Sequence, residues 1–185
     1  RAMYADGLAD KDILEKLGSF AVLEEDEESG KKYFAELLKL DETNPYAARF
    51  FAITEQSYGR YESALNYLKK ARDFDETPAL QVKAGYYLSM LSKQEELLNL
   101  MESAHKKFAN NNEISYYYAL ALVDAKQHNK AAKVFEEILE TSPENEHILF
   151  NYAALLYEQK KYKKMEDILR RLLEINPNNA EGLNF

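Results

Sequence analysis

The sequence predicts an all-α fold, a stack of short antiparallel helix pairs, and three observations predict it. The four prolines, Pro45, Pro78, Pro143 and Pro177, are 33, 65 and 34 residues apart, close to one, two and one units of 34. Small residues keep the same beat at Gly18, Ala52, Gly85, Ala119 and Ala153. Apolar residues within each period recur at helical spacing with charges between them. Three further series share the register: Gly30, Ala64, Leu97, Ala131, Met165; Phe34, Leu68, Met101, Phe135, Leu169; and Leu37, Ala71, Ala104, Ile138, Leu172. Four series agreeing over five units mean a solenoid or an array.

The units fall at 11–44, 45–77, 78–111, 112–145 and 146–179. Each is expected to hold two helices, with turns near residues 26–28, 59–60, 92–93, 126–128 and 160–161 in order. The first carries Gly18 and, 16 residues on, Phe34; the second Ala52 and Leu68; the third Gly85 and Met101. In the fourth, Tyr118, Ala119 and Leu122 share one helical face and Ala131, Phe135 and Ile138 another. The small Ala119 lets the helices approach and the bulky Phe135 fills the space opposite. Pro143 lacks an N–H, clashes with the preceding turn and ends the second helix. The fifth repeats the arrangement with Ala153, Leu169 and Pro177. One pair leaves an apolar outer face, so each needs a neighbour stacked on it.

Composition sets outer bounds. The 185 residues are 46% hydrophobic and 30% charged, enough to bury a core and stay in solution. With no Cys, disulfides, thiolate chemistry and Cys-based zinc sites are removed together. A net charge of −8 argues against a nucleic-acid partner, which needs a basic face. No apolar run approaches the roughly 20 residues of a spanning helix, so direct membrane insertion is not expected. The chain opens at Arg1 without a basic-then-apolar leader, so no targeting segment is visible and the compartment is left open. The six glycines form no phosphate-binding loop. His105 and His128 read as solvated helix or turn residues, and His147 as a candidate to line a groove. No catalytic constellation and no cofactor are expected.

The stretch NEHILFNYAALLYEQKKYKKMEDILRRLLEINP resembles the tetratricopeptide repeat (TPR), as does the unit before it. Leu149, Tyr152, Ala153, Leu156, Tyr162, Leu169, Leu172 and Pro177 stand at the family's positions. Met165 and Leu97 depart from the family's usual Ala, and Glu42, Glu76 and Ala109 from its Pro. The resemblance implies a right-handed TPR solenoid of antiparallel helix pairs. Residues 180–185 look like the start of a sixth repeat and 1–10 like the tail of a preceding helix or a linker, as in a fragment of a longer, bacterial-type array.

By the same resemblance the function is a protein–protein interaction scaffold holding a partner segment in a concave groove. The alternatives are a structural or self-associating array and a regulatory domain of a longer protein. Groove positions of the first helices carry Tyr46, Arg49, Phe50, Ile53, Lys83, Tyr86, Met90, Tyr116, Tyr117, Phe150, Asn151 and Tyr157. The Lys, Asn, Asn, Lys, Arg clamp by which TPR co-chaperones hold an acidic tail is absent in every register; units one to three read Glu15, Ser19, Phe50, Ala79 and Lys83 there. An aromatic and aliphatic groove suits a protein or peptide instead. Charge adds a second surface: the first turn carries Glu24, Glu25, Asp26, Glu27 and Glu28, and the fifth Lys160, Lys161, Lys163 and Lys164. Head-to-tail self-association through these opposite charges is therefore a further expectation.

Overall fold

The computed structural model describes residues 10–184. The tail expected at 1–10, apart from Asp10, and Phe185 lie outside the described residues. Among the described residues ten helices of 10 to 14 residues follow one another: α1 (Lys11–Leu23), α2 (Glu27–Leu40), α3 (Pro45–Ser57), α4 (Tyr61–Lys70), α5 (Pro78–Met90), α6 (Gln94–Lys107), α7 (Asn112–Asp124), α8 (His128–Thr141), α9 (Glu146–Glu158) and α10 (Tyr162–Ile175). A 3-10 turn, Phe74–Glu76, precedes α5, and a short α11 (Ala180–Leu183) follows α10. No strand occurs among the described residues.

Helix starts and stops have local causes. An Asn side chain caps four helices: Asn44 accepts from the Tyr46 and Ala47 amides, Asn111 from Ile114, Asn145 from Ile148 and Asn179 from Gly182. Each satisfies backbone donors that have no partner within the helix. Pro45 and Pro78 open α3 and α5, where a missing N–H costs nothing. One residue in the left-handed region stands in each of five short connections between successive helices: Glu25, Gly59, Ser92, Lys126 and Lys160, with φ between 55° and 71°. At Glu25, Gly59, Lys126 and Lys160 the left-handed residue's own amide and the next one donate back to the helix just ended, as Lys126 N–H to the Val123 carbonyl and Gln127 N–H to the Leu122 carbonyl. This is the Schellman arrangement, and it closes orphan carbonyls. The first turn thus occupies 24–26 rather than 26–28. Asp26 caps α2 by accepting from the Ser29 amide, and Glu27 and Glu28 fall in its first turn, where carboxylates favour the positive helix end.

The chain divides into two compact units, Arg1–Leu91 and Ser92–Phe185, the division falling within the repeat expected at 78–111. In the first, α1 packs on α2, α3 on α4, and α3 also touches α1 and α2, while α5 rests on α4. Its core includes Leu14, Phe34, Leu37 and Ala47, all at most 2% exposed. Phe34 lies over Gly18, so closely that a Cβ there would stand 2.8 Å from the ring. In the second unit α6 packs on α7, α7 on α8, α8 on α9, α9 on α10, and α11 on α10. Ala119, Ala131, Phe135, Ile148, Leu149, Tyr152, Leu156 and Leu172 form its core. The series Gly18, Ala52, Gly85, Ala119, Ala153 is buried throughout.

His105 and His128 are half-buried and engaged by neighbouring side chains rather than freely solvated. His105 stacks on Tyr118 at 4.8 Å and its Nδ1 lies 3.0 Å from the Ser115 hydroxyl, because the small Ala104 and buried Ser115 draw α6 against α7. The His128 Nε2 is buried, 3.5 Å from a Glu158 carboxylate oxygen.

Candidate protein-binding groove

The first unit carries an apolar cavity of about 540 Å³ between α1 and α3, lined among others by Val22, Leu23, Phe34, Tyr46, Phe50 and Ile53. Its floor follows from the small residues. Gly18 admits the Phe34 ring, and a Cβ on Gly30 would stand 3.0 Å from the Phe50 ring, so Gly30 is where that ring rests. Phe34 and Phe50 meet at 4.9 Å, Phe50 and Phe51 edge-on at 5.3 Å, and Phe51 stacks on Tyr67 at 5.2 Å. Such a chain of rings is rigid and gains pair energy beyond its buried area. The rim is the reverse: Leu23 is 79% exposed, Ile53 60%, Tyr46 52% and Val22 49%. Apolar side chains thus converge in the open on an aromatic floor.

Four of the sequence-expected groove residues, Tyr46, Arg49, Phe50 and Ile53, line this one cavity. Arg49 has a second engagement that the sequence did not signal. Its guanidinium pairs with the Asp73 carboxylate, which also accepts from the Thr77 hydroxyl at 3.3 Å. Asp73 precedes the 3-10 turn, and only the fold brings it to α3. Val22, Leu23 and the Glu27 carboxylate beside them were not among the expected residues. They come from the end of α1 and the start of α2, where the helical period alone gives no reason to look.

Lys83, Tyr86 and Met90 lie on α5. The Lys83 ammonium sits 5.9 Å from the Tyr86 ring centroid and 5.8 Å from that of Tyr87, and the Tyr86 ring meets Tyr61 at 6.0 Å. Tyr86 and Met90 are exposed, whereas Tyr87 is fully buried with its hydroxyl 2.9 Å from Gln56 Oε1. Burial, with the neighbouring Tyr86 and Tyr61, pushes the Tyr87 phenol up to about 12.

In the second unit the expected residues divide. Tyr116 and Phe150 pack against the core, and the Asn151 amide donates to the Tyr116 hydroxyl at 3.1 Å and to the His147 carbonyl at 2.7 Å. Burial raises the Tyr116 phenol above its ordinary value. Tyr117 and Tyr157 remain in the open, Tyr157 edge-on to Tyr162 at 6.0 Å. Tyr116, Phe150 and Asn151 thus spend much of their surface joining α7 to its neighbours.

No cluster of three or more His, Asp or Glu placed to hold a metal occurs among the described residues, and none of their helices is long and apolar enough to cross a membrane.

Helix pairs of this length, closed by left-handed turns and packed through one small residue, can be compared with known proteins. Residues 122–184 match the family model for the tetratricopeptide repeat. The solved structure of YrrB, described as a TPR protein with an unusual peptide-binding site, superposes with a TM-score of 0.82 over 99% of this chain and 94% of its own, at 17% identity. This is a TPR fold. MamA from Desulfovibrio magneticus RS-1 is similar at a TM-score of 0.77, 14% identity and coverage of 94% and 99%. PilF of Pseudomonas aeruginosa gives 0.69, 19% identity and coverage of 94% and 79%. No curated protein matches the sequence. TPR proteins generally serve as non-enzymatic scaffolds for protein–protein interaction.

Proposed function

We propose that this TPR chain binds a protein segment through the groove between α1 and α3, seating an apolar side chain in the cavity floored by Phe34 and Phe50. One observation carries the reading: Val22, Leu23, Tyr46 and Ile53 stand largely exposed around a preformed aromatic floor. A floor already ordered needs no side-chain freezing on binding, so more of the contact energy is left for affinity. Aromatic anchors in such pockets dominate interface energies. YrrB, of like fold, is described as having a peptide-binding site, which supports the class of ligand. Tyr86 and Met90 on α5 of the same unit are the further apolar contacts we assign to binding, while Arg49 and Lys83 meet polar groups of the partner. The role is binding rather than catalysis.

The test replaces Leu23 and Ile53 together by Asp and compares partner capture from native extract with that of the unchanged chain. Both residues are exposed, so far-UV dichroism and melting should hardly change while capture is lost. Undiminished capture by a folded Leu23→Asp/Ile53→Asp variant would remove the groove from the account. Phe150→Ala is a poor probe of binding, since that ring packs on the core and its loss would act through stability.

A further inference from the structure

We infer that the segment received by this groove is the α9–α10 turn of a second copy of the same chain; the inference rests on the groove reading above. The argument is complementarity in shape and in charge. The groove presents an apolar socket with one acidic shoulder: Glu27 lines the cavity, and Glu24, Glu25, Asp26 and Glu28 are exposed around the same turn. Lys31 answers only part of this charge, lying 2.8 Å from Glu27 and 3.5 Å from Glu28. The α9–α10 turn presents the counterpart. Tyr157 and Tyr162 project together, 55% and 53% exposed, as an aromatic knob. Lys160, Lys161 and Lys163 stand exposed around it, and Lys164 is held by Glu136. Counting Lys31 and Lys32 beside the acids, and Glu158 and Asp167 beside the lysines, leaves the two faces opposite in sign.

The two turns are the same structural element in different repeats. Glu25 and Lys160 both occupy the left-handed position, and Glu28 and Lys163 both stand three residues further on. Charge can therefore be exchanged between the faces without new backbone demands. A contact between two different faces is heterologous: a dimer keeps one knob, on one copy, and one socket, on the other, unused, so assembly proceeds to a ring or continues to grow. Exposed charges act over about 8 Å at physiological salt, so their contribution should fall as salt rises while the apolar seat persists.

Sedimentation velocity of the chain, with two charge-exchanged variants, tests this. One variant is Glu24→Lys/Glu25→Lys/Glu28→Lys and the other Lys160→Glu/Lys161→Glu/Lys163→Glu. The unchanged chain should sediment faster as concentration rises, with apparent affinity weakened by about tenfold or more in high salt. Each variant alone, carrying like charge on both faces, should remain monomeric. An equimolar mixture should associate again, because each supplies the charge the other lost. Leu23→Asp/Ile53→Asp, with all charges intact, should also be monomeric. A chain that stays monomeric at every concentration in low salt overturns the inference, and so does a mixture no more associated than its components. Loss of partner capture by Leu23→Asp/Ile53→Asp in a chain that never self-associates would overturn the inference and leave the groove reading standing. Self-association that survives Leu23→Asp/Ile53→Asp would place the contact outside the socket and overturn it as well.

Discussion

Gly18→Ala tests the packing that shapes the groove, because two effects of known size oppose each other there. A Gly in a helix interior ordinarily gains about 1 kcal/mol on becoming Ala. At Gly18 the new Cβ would stand 2.8 to 2.9 Å from three atoms of the Phe34 ring. Carbon pairs rest at about 3.5–4.0 Å, so ring or helix must yield by roughly 0.7 Å. The ring has little room to yield, being 2% exposed with Phe50 at 4.9 Å. Overpacking of this kind costs about 1–3 kcal/mol, and against the helix gain the net is a loss of about 1 kcal/mol. For a chain of this length that lowers Tm by roughly 2–4 °C. In a Phe34→Leu background, with the side chain that Leu68 and Leu169 supply at the same repeat position, the clash should vanish and Gly18→Ala should stabilise. The difference between the two backgrounds, read by urea denaturation, should equal the overpacking cost, about 1–3 kcal/mol. Stabilisation by Gly18→Ala in both backgrounds would refute the assigned contact.

Other expectations follow from the caps, the turns and a buried phenol. Asn111→Ala and Asn145→Ala should each cost about 1 kcal/mol by urea denaturation, and the two losses should add, since the sites share no partner. Gly59→Ala isolates the backbone cost of a left-handed residue, since its Cβ would meet nothing within 4 Å; a loss of about 1 kcal/mol is expected, and Lys126→Gly should recover up to a similar amount. The Tyr87 phenol is raised on folding, so its contribution is intact below the unfolded value near 10 and is lost as pH rises from there towards about 12. Melting of the unchanged chain should therefore fall across that window, and less steeply in Tyr87→Phe.

The fold was largely legible because repetition is a strong signal: one small residue per period, set against one bulky residue, recurs in Gly18 with Phe34 and Ala119 with Phe135. The caps at Asn111, Asn145 and Asn179 lie 34 residues apart in the sequence and went unread, since a single Asn before a helix is a weak signal. The first turn lies two residues before the expected 26–28, since Glu27 and Glu28 favour a helix start over a connection. Less of the candidate site was legible. Groove positions could be numbered by resemblance, but whether a Tyr or Phe there packs inward or stands free depends on the neighbouring helix. Tyr116 and Phe150 lean on the core while Tyr117 and Tyr157 do not. The Arg49–Asp73 pair joins residues 24 apart through a 3-10 turn that no periodicity foretells.

The groove as contact surface is tested most directly by photo-crosslinking from Ile53, with Asn66 on the exposed side of α4 as the control position. A photoreactive phenylalanine analogue is placed at either position, and the protein is mixed with an isotopically labelled copy before irradiation. The account predicts adducts from position 53 carrying both labels and ending between Tyr157 and Lys164, with few from position 66. Intermolecular adducts from position 66 and none from position 53 would contradict it.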